Sequence, residues 1–270
     1  MRMWVLGSGS RGNSVLLEAA GTRILIDAGF APQIMLERLR AADVPPESIE
    51  AVVVTHEHID HVRGVRTLAQ RFGWTPYATA GTITAARDLR DSETMPFRAG
   101  ESFAIGEFDM LALRAPHDAA EPVVIVATAR RTGARAGVAY DLGAPTQPLV
   151  DALRDLDLMV LEANHDELML RNGPYPPSVR ARIAGRNGHL CNRVAGELVR
   201  EVSHKGLRHI VLAHLSESCN TATTALRDVG DRVRRGRFAG RMTVAPQDSV
   251  IGPFEPGARR AAAVQLDFGL

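Results

Sequence analysis

The chain has almost no cysteine, almost no lysine and no long apolar run, and each absence removes a class of protein. Cys191 and Cys219 are its 2 cysteines, and neither has a partner at CxxC spacing. That argues against a disulfide framework and against a thiolate zinc site. No stretch approaches the roughly 20 apolar residues of a membrane-spanning helix. The opening residues, MRMWVLGSGSRGNS, place glycine and serine where a signal peptide needs an apolar core. The reading is a cytoplasmic protein with no membrane association. Lys205 is the single lysine among the 32 basic residues, a bias that genome base composition accounts for. With 31 acidic residues in balance, the formal net charge is +1, so charge as a whole offers no attraction for a polyanion. Arginines do cluster, at Arg130, Arg131 and Arg135 and again at Arg232, Arg234, Arg235, Arg237 and Arg241. Such clusters read first as solvated faces.

What is present is an ordinary globular composition of 45% hydrophobic and 23% charged residues over a length of 270. That suffices for a large core without staples. Short β-rich runs at 3–6, 14–18 and 23–27 are separated by glycine-rich turns. A helical spacing follows over 31–41, then the apolar strand 51–54 and a helical pattern over 62–72. Further strands are expected at 110–115, 123–128, 136–140, 158–161, 210–213 and 242–245, with helices over 190–202 and 221–233. Strands mixed with helices, and no linker before residue 251, predict one α/β domain over residues 1–250. Residues 251–270 read as an exposed tail.

The chemistry concentrates in Thr55-His56-Glu57-His58-Ile59-Asp60-His61, directly after the apolar strand. His56 and His58, two apart in extended chain, point the same way. Asp60 and His61 open the next helix and can aim at a second point nearby. Separate ligand groups held close together are what a two-metal hydrolytic site requires, with ions about 3.5–4 Å apart. Neither ion would be fully coordinated by this segment, so further ligands are expected. His117, Asp141 and His214 qualify, each following a predicted strand.

HEHIDH after an apolar strand, followed by a spaced His, Asp and His, resembles the metallo-β-lactamase superfamily. The resemblance implies an αββα four-layer sandwich with metals at one edge. It implies one ion on His56, His58 and His117, a second on Asp60, His61 and His214, and Asp141 bridging them. Asp27, in Leu-Ile-Asp-Ala-Gly, matches a further superfamily position, where it orients a ligand histidine, braces a turn, or simply caps the strand exit.

Fold alone does not choose a substrate. An exported lactamase would need a signal segment, and the span between Asp141 and His214 is too short for the inserted domain of β-CASP nucleases. Four segments are similar to the bacterial YycJ/WalJ-type subfamily: Leu6 with Gly-Ser-Gly-Ser-Arg-Gly-Asn-Ser, His117 with Asp-Ala-Ala-Glu-Pro, Leu161 with Glu-Ala-Asn-His-Asp, and Gly188 with His-Leu-Cys-Asn plus Leu212 with Ala-His-Leu-Ser. That resemblance implies a DNA 5′-exonuclease acting through a metal-activated hydroxide, with the opening loop lining the phosphate pocket. The order Glu162, His189, His214 is also similar to transfer-RNA 3′-processing phosphodiesterases. It implies that His189 serves the leaving-group oxygen, that Glu162 fixes its tautomer, and that Asp60 orients the nucleophile. His165 is a competing candidate for the role of His189. Two departures are Cys191, where serine is usual, and Tyr-Asp-Leu-Gly around Asp141 in place of Asp-Thr-Gly.

Two divalent ions are expected. An imidazole-rich, thiolate-free set suits zinc, and the carboxylates allow manganese or iron. Two alternatives remain open, a small-molecule phosphodiesterase on the same metals and a non-catalytic module on a degenerate metal fold. Gln265, Leu266, Asp267 and Phe268 resemble a truncated sliding-clamp-binding peptide, against the plainer reading of a terminus folded back on the body.

Overall fold

The computed structural model describes residues 1–234 and 237–257. Arg235 and the segment from Gln265 to Phe268 that suggested clamp binding lie outside the described residues. The chain runs β1 (Arg2–Gly7), β2 (Ser14–Ala19), β3 (Thr22–Ile26), α1 (Pro32–Ala41), β4 (Ala51–Val53), α2 (Ile59–Val62), α3 (Val65–Phe72), β5 (Thr75–Thr79), α4 (Ala80–Ala85), α5 (Arg87–Arg90) and β6 (Met95–Phe97). It continues with β7 (Ser102–Ile105), β8 (Phe108–Arg114), β9 (Val123–Ala129), β10 (Arg135–Ala139), α6 (Gln147–Ala152), β11 (Leu158–Glu162), α7 (Glu167–Asn172) and α8 (Pro177–Ile183). α9 (Asn192–Val202), β12 (His209–Ala213), α10 (Ala222–Val233), β13 (Arg241–Val244) and β14 (Ile251–Phe254) complete it.

Two seven-stranded sheets result, in the orders β14-β1-β2-β3-β4-β5-β6 and β13-β12-β11-β10-β9-β8-β7. Each is antiparallel on one side, through β1, β2 and β3 or β7, β8, β9 and β10. Each turns parallel on the other, from β3 to β6 and from β10 to β13.

Alternation along the strands sorts the side chains into layers. Met3, Val5, Leu17 and Ile24 of the first sheet meet Met110, Ile125, Val138 and Val160 of the second in one buried cluster between the sheets. The intervening residues Trp4, Leu16, Leu25 and Val52 face outward onto Met35, Leu39 and Leu68 of α1 and α3. On the far side Val126, Met159 and Leu161 meet Leu149, Leu198, Val199 and Val229 of α6, α9 and α10. Helix, sheet, sheet and helix therefore stack as the four-layer αββα sandwich. The parallel strands are covered on both faces, which is why β4 and β11 read as unbroken apolar runs.

Two expectations need correction. Ile251–Phe254 is an edge strand that pairs with β1, so the sheet takes in residues assigned to an exposed tail. Pro253 at a sheet edge loses no ladder bond that matters, yet from sequence alone it argued for a loop. The helical pattern over 62–72 is two helices, because Gly64 breaks the run and donates its N–H to Ala28 O at 2.8 Å.

That break brings three loops together at the carboxyl edge of the first sheet. Asn13 N donates to Asp60 O at 2.8 Å, Gly29 N to Asn13 O at 3.0 Å and Ala28 N to His61 O at 3.0 Å. A Cβ on Gly29 would lie 1.6 Å from the Asp60 carbonyl oxygen, so only glycine allows this approach. Gly29→Ala is expected to lower stability by about 2–3 kcal/mol, since backbone must move to relieve the overlap. A urea denaturation midpoint equal to that of the wild type would show the loops are not locked this way.

Candidate metal centre

Parallel strands end at one edge of each sheet, and the two edges face each other there. Asp27 leaves β3, Thr55 and His56 leave β4, Asp141 leaves β10, Glu162 ends β11 and His214 leaves β12. The open crevice at such carboxyl ends is where α/β sheets bind ligands. Three of these residues turn the chain through the left-handed region, Asp27 at φ 61°, Asp141 at 52° and His214 at 53°. A non-glycine residue there costs on the order of 1 kcal/mol or more, and such strain persists where surrounding bonds over-determine it.

Asp27 shows those bonds. It is fully buried, and its Oδ1 accepts Thr55 N at 2.7 Å. Its Oδ2 meets Thr55 Oγ1, His61 Nδ1 and Tyr140 Oη, each at 2.7 Å. One carboxylate thus joins the exits of β3 and β4, the start of α2 and, through Tyr140, the second sheet. Asp27 both orients a histidine and braces a turn.

The same orientation recurs around the cluster. His61 keeps Nδ1 on Asp27, His56 keeps Nδ1 3.1 Å from Thr55 Oγ1, His117 donates Nδ1 to Gly188 O at 3.0 Å, and His214 keeps Nδ1 3.1 Å from Glu162 Oε1. With Nδ1 engaged, Nε2 is left for the centre, which is the arrangement of metal-ligating histidines. His56 Nε2 is buried with no hydrogen-bond partner, while His214 Nε2 reaches Asp60 Oδ2 only at 3.5 Å and Asp141 Oδ2 faces the His61 ring at 2.8 Å. Buried polar atoms without partners are rare in a folded protein and call for a ligand.

Donor atoms of His56, His58 and His117 lie within 4.8 Å of one another, as do those of Asp60, His61 and His214 and those of His56, His61 and Asp141. A further such group joins Asp141 and His214 to Glu162 and His189. All seven residues expected as metal ligands are thus brought into one cluster, with Asp141 in the group that joins His56 to His61 and in the group that holds His214.

Charge fits a cation as well. Asp27, Asp141 and Glu162 are almost wholly buried and Asp60 is half-buried. Their ion-pair partners within the cluster are histidines. Burial alone would hold the His61 imidazole low, but Asp141, Asp27 and Asp60 outweigh it and push its pKa well above the ordinary value. For His214 burial is likewise outweighed, by Asp141 and by hydrogen bonds to Asp60 and Glu162, and its pKa is pushed up to about 10. Asp60 is raised by burial and lowered more strongly by His61 and His214, so it stays ionised well below the usual carboxylate range. His56 is held low by burial and by His61, which outweigh the pull of Asp141. The carboxylates thus draw positive charge, and divalent ions on deprotonated imidazoles supply it. The donor set fits divalent metal.

Glu162 and His189 sit beside this cluster. His189 Nδ1 is 2.7 Å from Glu162 Oε1, while Glu162 Oε2 accepts the backbone N–H groups of Leu142 at 2.8 Å and Leu190 at 3.1 Å. These partners overcome burial and bring the Glu162 pKa to about 2. Burial opposes the charge on His189, and Glu162 and Asp141 raise its pKa in spite of it. Its ring is partly exposed and lines a cleft of about 290 Å³ together with His58, Asp60, Asp141 and His214. His165 does not line that cleft. It is buried under α7 and α8 beside Glu167, Leu170 and Arg180.

Sequence reasoning missed Tyr140, whose role depends on the second sheet, while the opening loop expected at the phosphate pocket reaches the cleft through Ser10. Ser8 and Asn13 are buried and serve the scaffold. Ser8 Oγ donates to Asn13 Oδ1 at 2.7 Å and accepts His214 N at 2.9 Å. Asn13 Nδ2 reaches Asp60 Oδ2 at 3.3 Å. Ser10 is the loop residue that lines the cleft. Glu57 turns away from the metal cluster and accepts Ala120 N at 2.7 Å, bracing the loop that carries His117.

Comparison with known proteins agrees with this geometry. The family model described as the metallo-beta-lactamase superfamily matches residues 7–191. The chain is 30% identical over 238 residues to exodeoxyribonuclease YycJ of Bacillus anthracis, covering 87% of this chain and 89% of that protein. It is 30% identical over 222 residues to exodeoxyribonuclease WalJ of Streptococcus pneumoniae, covering 80% and 82%. Among solved structures, the metallo-beta-lactamase fold protein YhfI of Bacillus subtilis superposes with a TM-score of 0.67 at 17% identity, over 93% of this chain and 99% of that one.

Asp27→Asn keeps the shape of the brace but can no longer accept from Thr55, His61 and Tyr140 together. Metal affinity, measured by competition with a chromogenic chelator, is expected to fall 10- to 100-fold. Unchanged affinity would remove Asp27 from the metal centre.

Proposed function

Because the chain belongs to the metallo-beta-lactamase superfamily and is a metal-dependent hydrolase, we propose that it is a dinuclear phosphodiesterase that removes nucleotides from DNA as a 5′-exonuclease in the cytoplasm. The observation that carries this reading is the pairing of His189 with a buried Glu162 beside two adjoining donor groups. A hydrolase with a labile leaving group has no need of a second acid at that place, whereas a sugar alkoxide does. The exodeoxyribonuclease relatives support DNA as the substrate.

In this reading His56, His58 and His117 would hold one ion, Asp60, His61 and His214 would hold the other, and Asp141 would be their shared ligand. Divalent ions bound there lower the pKa of water toward about 7 and screen the charge of the phosphate. Zinc suits the imidazoles, with manganese or iron as the other candidates. Asp60, ionised and fixed by Asn13 Nδ2 at 3.3 Å, orients the attacking water by accepting its hydrogen bond. Glu162 holds the Nδ1 proton of His189, which leaves Nε2 to give a proton to the departing oxygen. Asp27 keeps the His61 ring turned so that Nε2 faces the centre.

Digestion of 5′-end-labelled single-stranded and duplex DNA, with Zn²⁺ or Mn²⁺ and after chelation, tests the substrate. Metal-dependent release of labelled mononucleotide is expected. Hydrolysis of bis(p-nitrophenyl) phosphate with intact DNA would point instead to a small-molecule phosphodiesterase. His189→Ala is expected to lower kcat on DNA by 10²- to 10⁴-fold, the usual worth of a general acid, while metal content stays at the wild-type level. Full activity in that variant would take His189 out of the reaction.

A further inference from the structure

The wall of the cleft opposite the opening loop is built by a segment that contributes nothing to the core. α8 has no buried residue, yet it is pinned at both ends. It starts on Pro176 and Pro177, which preset the first turn, and Arg180 donates to the carbonyl of Arg171 just before it. At its other end Ile183 O accepts His189 N at 2.9 Å, and a Cβ on Gly188 would sit 2.2 Å from the carbonyl oxygens of Arg182 and Ile183. The helix is therefore seated against the backbone of His189 itself. A surface helix held there without burying apolar area has its value in what it presents.

The helix and the turn just before it present Tyr175, Val179, Arg182 and Ile183 to the cleft that also contains Asp60, Asp141, His189 and His214. Three of the four are apolar or aromatic, whereas Ser10, Asn164 and Ser216 among the other lining residues are polar. Tyr175 is half-buried, and no ring stacks on it among the described residues. Arg182 is the one arginine or lysine among the described residues that line the cleft. Its Nε is held by Asp118 Oδ2, the residue next to His117. Its terminal amines make no hydrogen bond among the described residues, and its side chain is 68% exposed. One aromatic face, two aliphatic neighbours and one pre-oriented guanidinium form a surface for a base and a phosphate.

We propose that Tyr175 and Arg182 form a subsite for the terminal nucleotide of a single strand, with its base stacked on Tyr175 and its 5′-phosphate on the free amines of Arg182. The subsite rests on the phosphodiesterase reading, since it seats the nucleotide whose bond the metal centre would cut. Asp118 holds Arg182 by one nitrogen and leaves the rest of its fork for the phosphate, a division of donors that lysine cannot reproduce. A stacked base has to leave the duplex stack, so the subsite selects a frayed or unpaired end.

Equilibrium binding to the metal-loaded protein tests this without turnover. The ligand is a short single-stranded oligonucleotide whose first linkage is a methylphosphonate, with a 5′-phosphate. Two companions carry either a 5′-hydroxyl or an abasic first residue. The wild type is expected to bind the parent about tenfold tighter than either companion, on the scale of one stacked base or one charge-assisted contact. Tyr175→Ala should erase the difference due to the base, Tyr175→Phe should keep it, and Arg182→Ala should erase the difference due to the phosphate. Equal binding of the three ligands by the wild type overturns the subsite, and so does a loss in either alanine variant that is the same for all three. A wild type that degrades DNA but binds the ligands alike fails the subsite alone. One that discriminates among them but leaves DNA intact supports the subsite and fails the exonuclease reading.

Discussion

A single buried carboxylate holds the metal centre to the fold. Asp27 takes a backbone N–H and two further contacts from the turn after β4 and α2, and a fourth from Tyr140 on the opposite sheet. It does so from a left-handed backbone position that an ordinary strand exit would avoid. A fully buried carboxylate is costly unless every lone pair is engaged, and here the partners are the residues that set the direction of His61. Stability and site geometry are therefore coupled through one side chain, because anything that frees Asp27 also frees the ring it points.

The surrounding architecture extends the same logic. The carboxyl edges of the two sheets converge, and each strand exit delivers a polar residue into space the core cannot fill. His56, His61, His117 and His214 are each fixed through Nδ1 to a neighbour on the scaffold, so their Nε2 atoms face inward in a fixed arrangement. The surrounding carboxylates raise the pKa values of His61 and His214. The protein has thus arranged buried carboxylates and imidazoles whose charge and donor set suit divalent cations.

Much of this is legible in the amino-acid sequence. The run from His56 to His61 declares itself because ligand residues are dense there and follow an apolar strand. His117, Asp141 and His214 stand out because each closes a predicted strand. The layers are foreseeable as well, since β4 and β11 read as strands covered on both faces. What the sequence hides, it hides for physical reasons. β5, β6 and β7 are short and of mixed polarity, so they carry no period. β14 contains glycine and proline, which mask an edge strand. Tyr140 and Asn13 act through contacts with segments distant in sequence, and no local pattern reports that. α8 exposes its apolar residues to a cleft and not to the core, so amphipathicity gives little warning of it.

On the proposed reading, two ions sit in one cluster whose ligands are set by the converging strand exits. Anomalous diffraction from crystals of the metal-loaded protein tests it most directly. Two peaks are predicted, one contacting His56, His58 and His117 and the other Asp60, His61 and His214, with Asp141 touching both. A single peak, or ions bound elsewhere with His56 Nε2 still unpartnered, would contradict a two-ion centre at these strand exits.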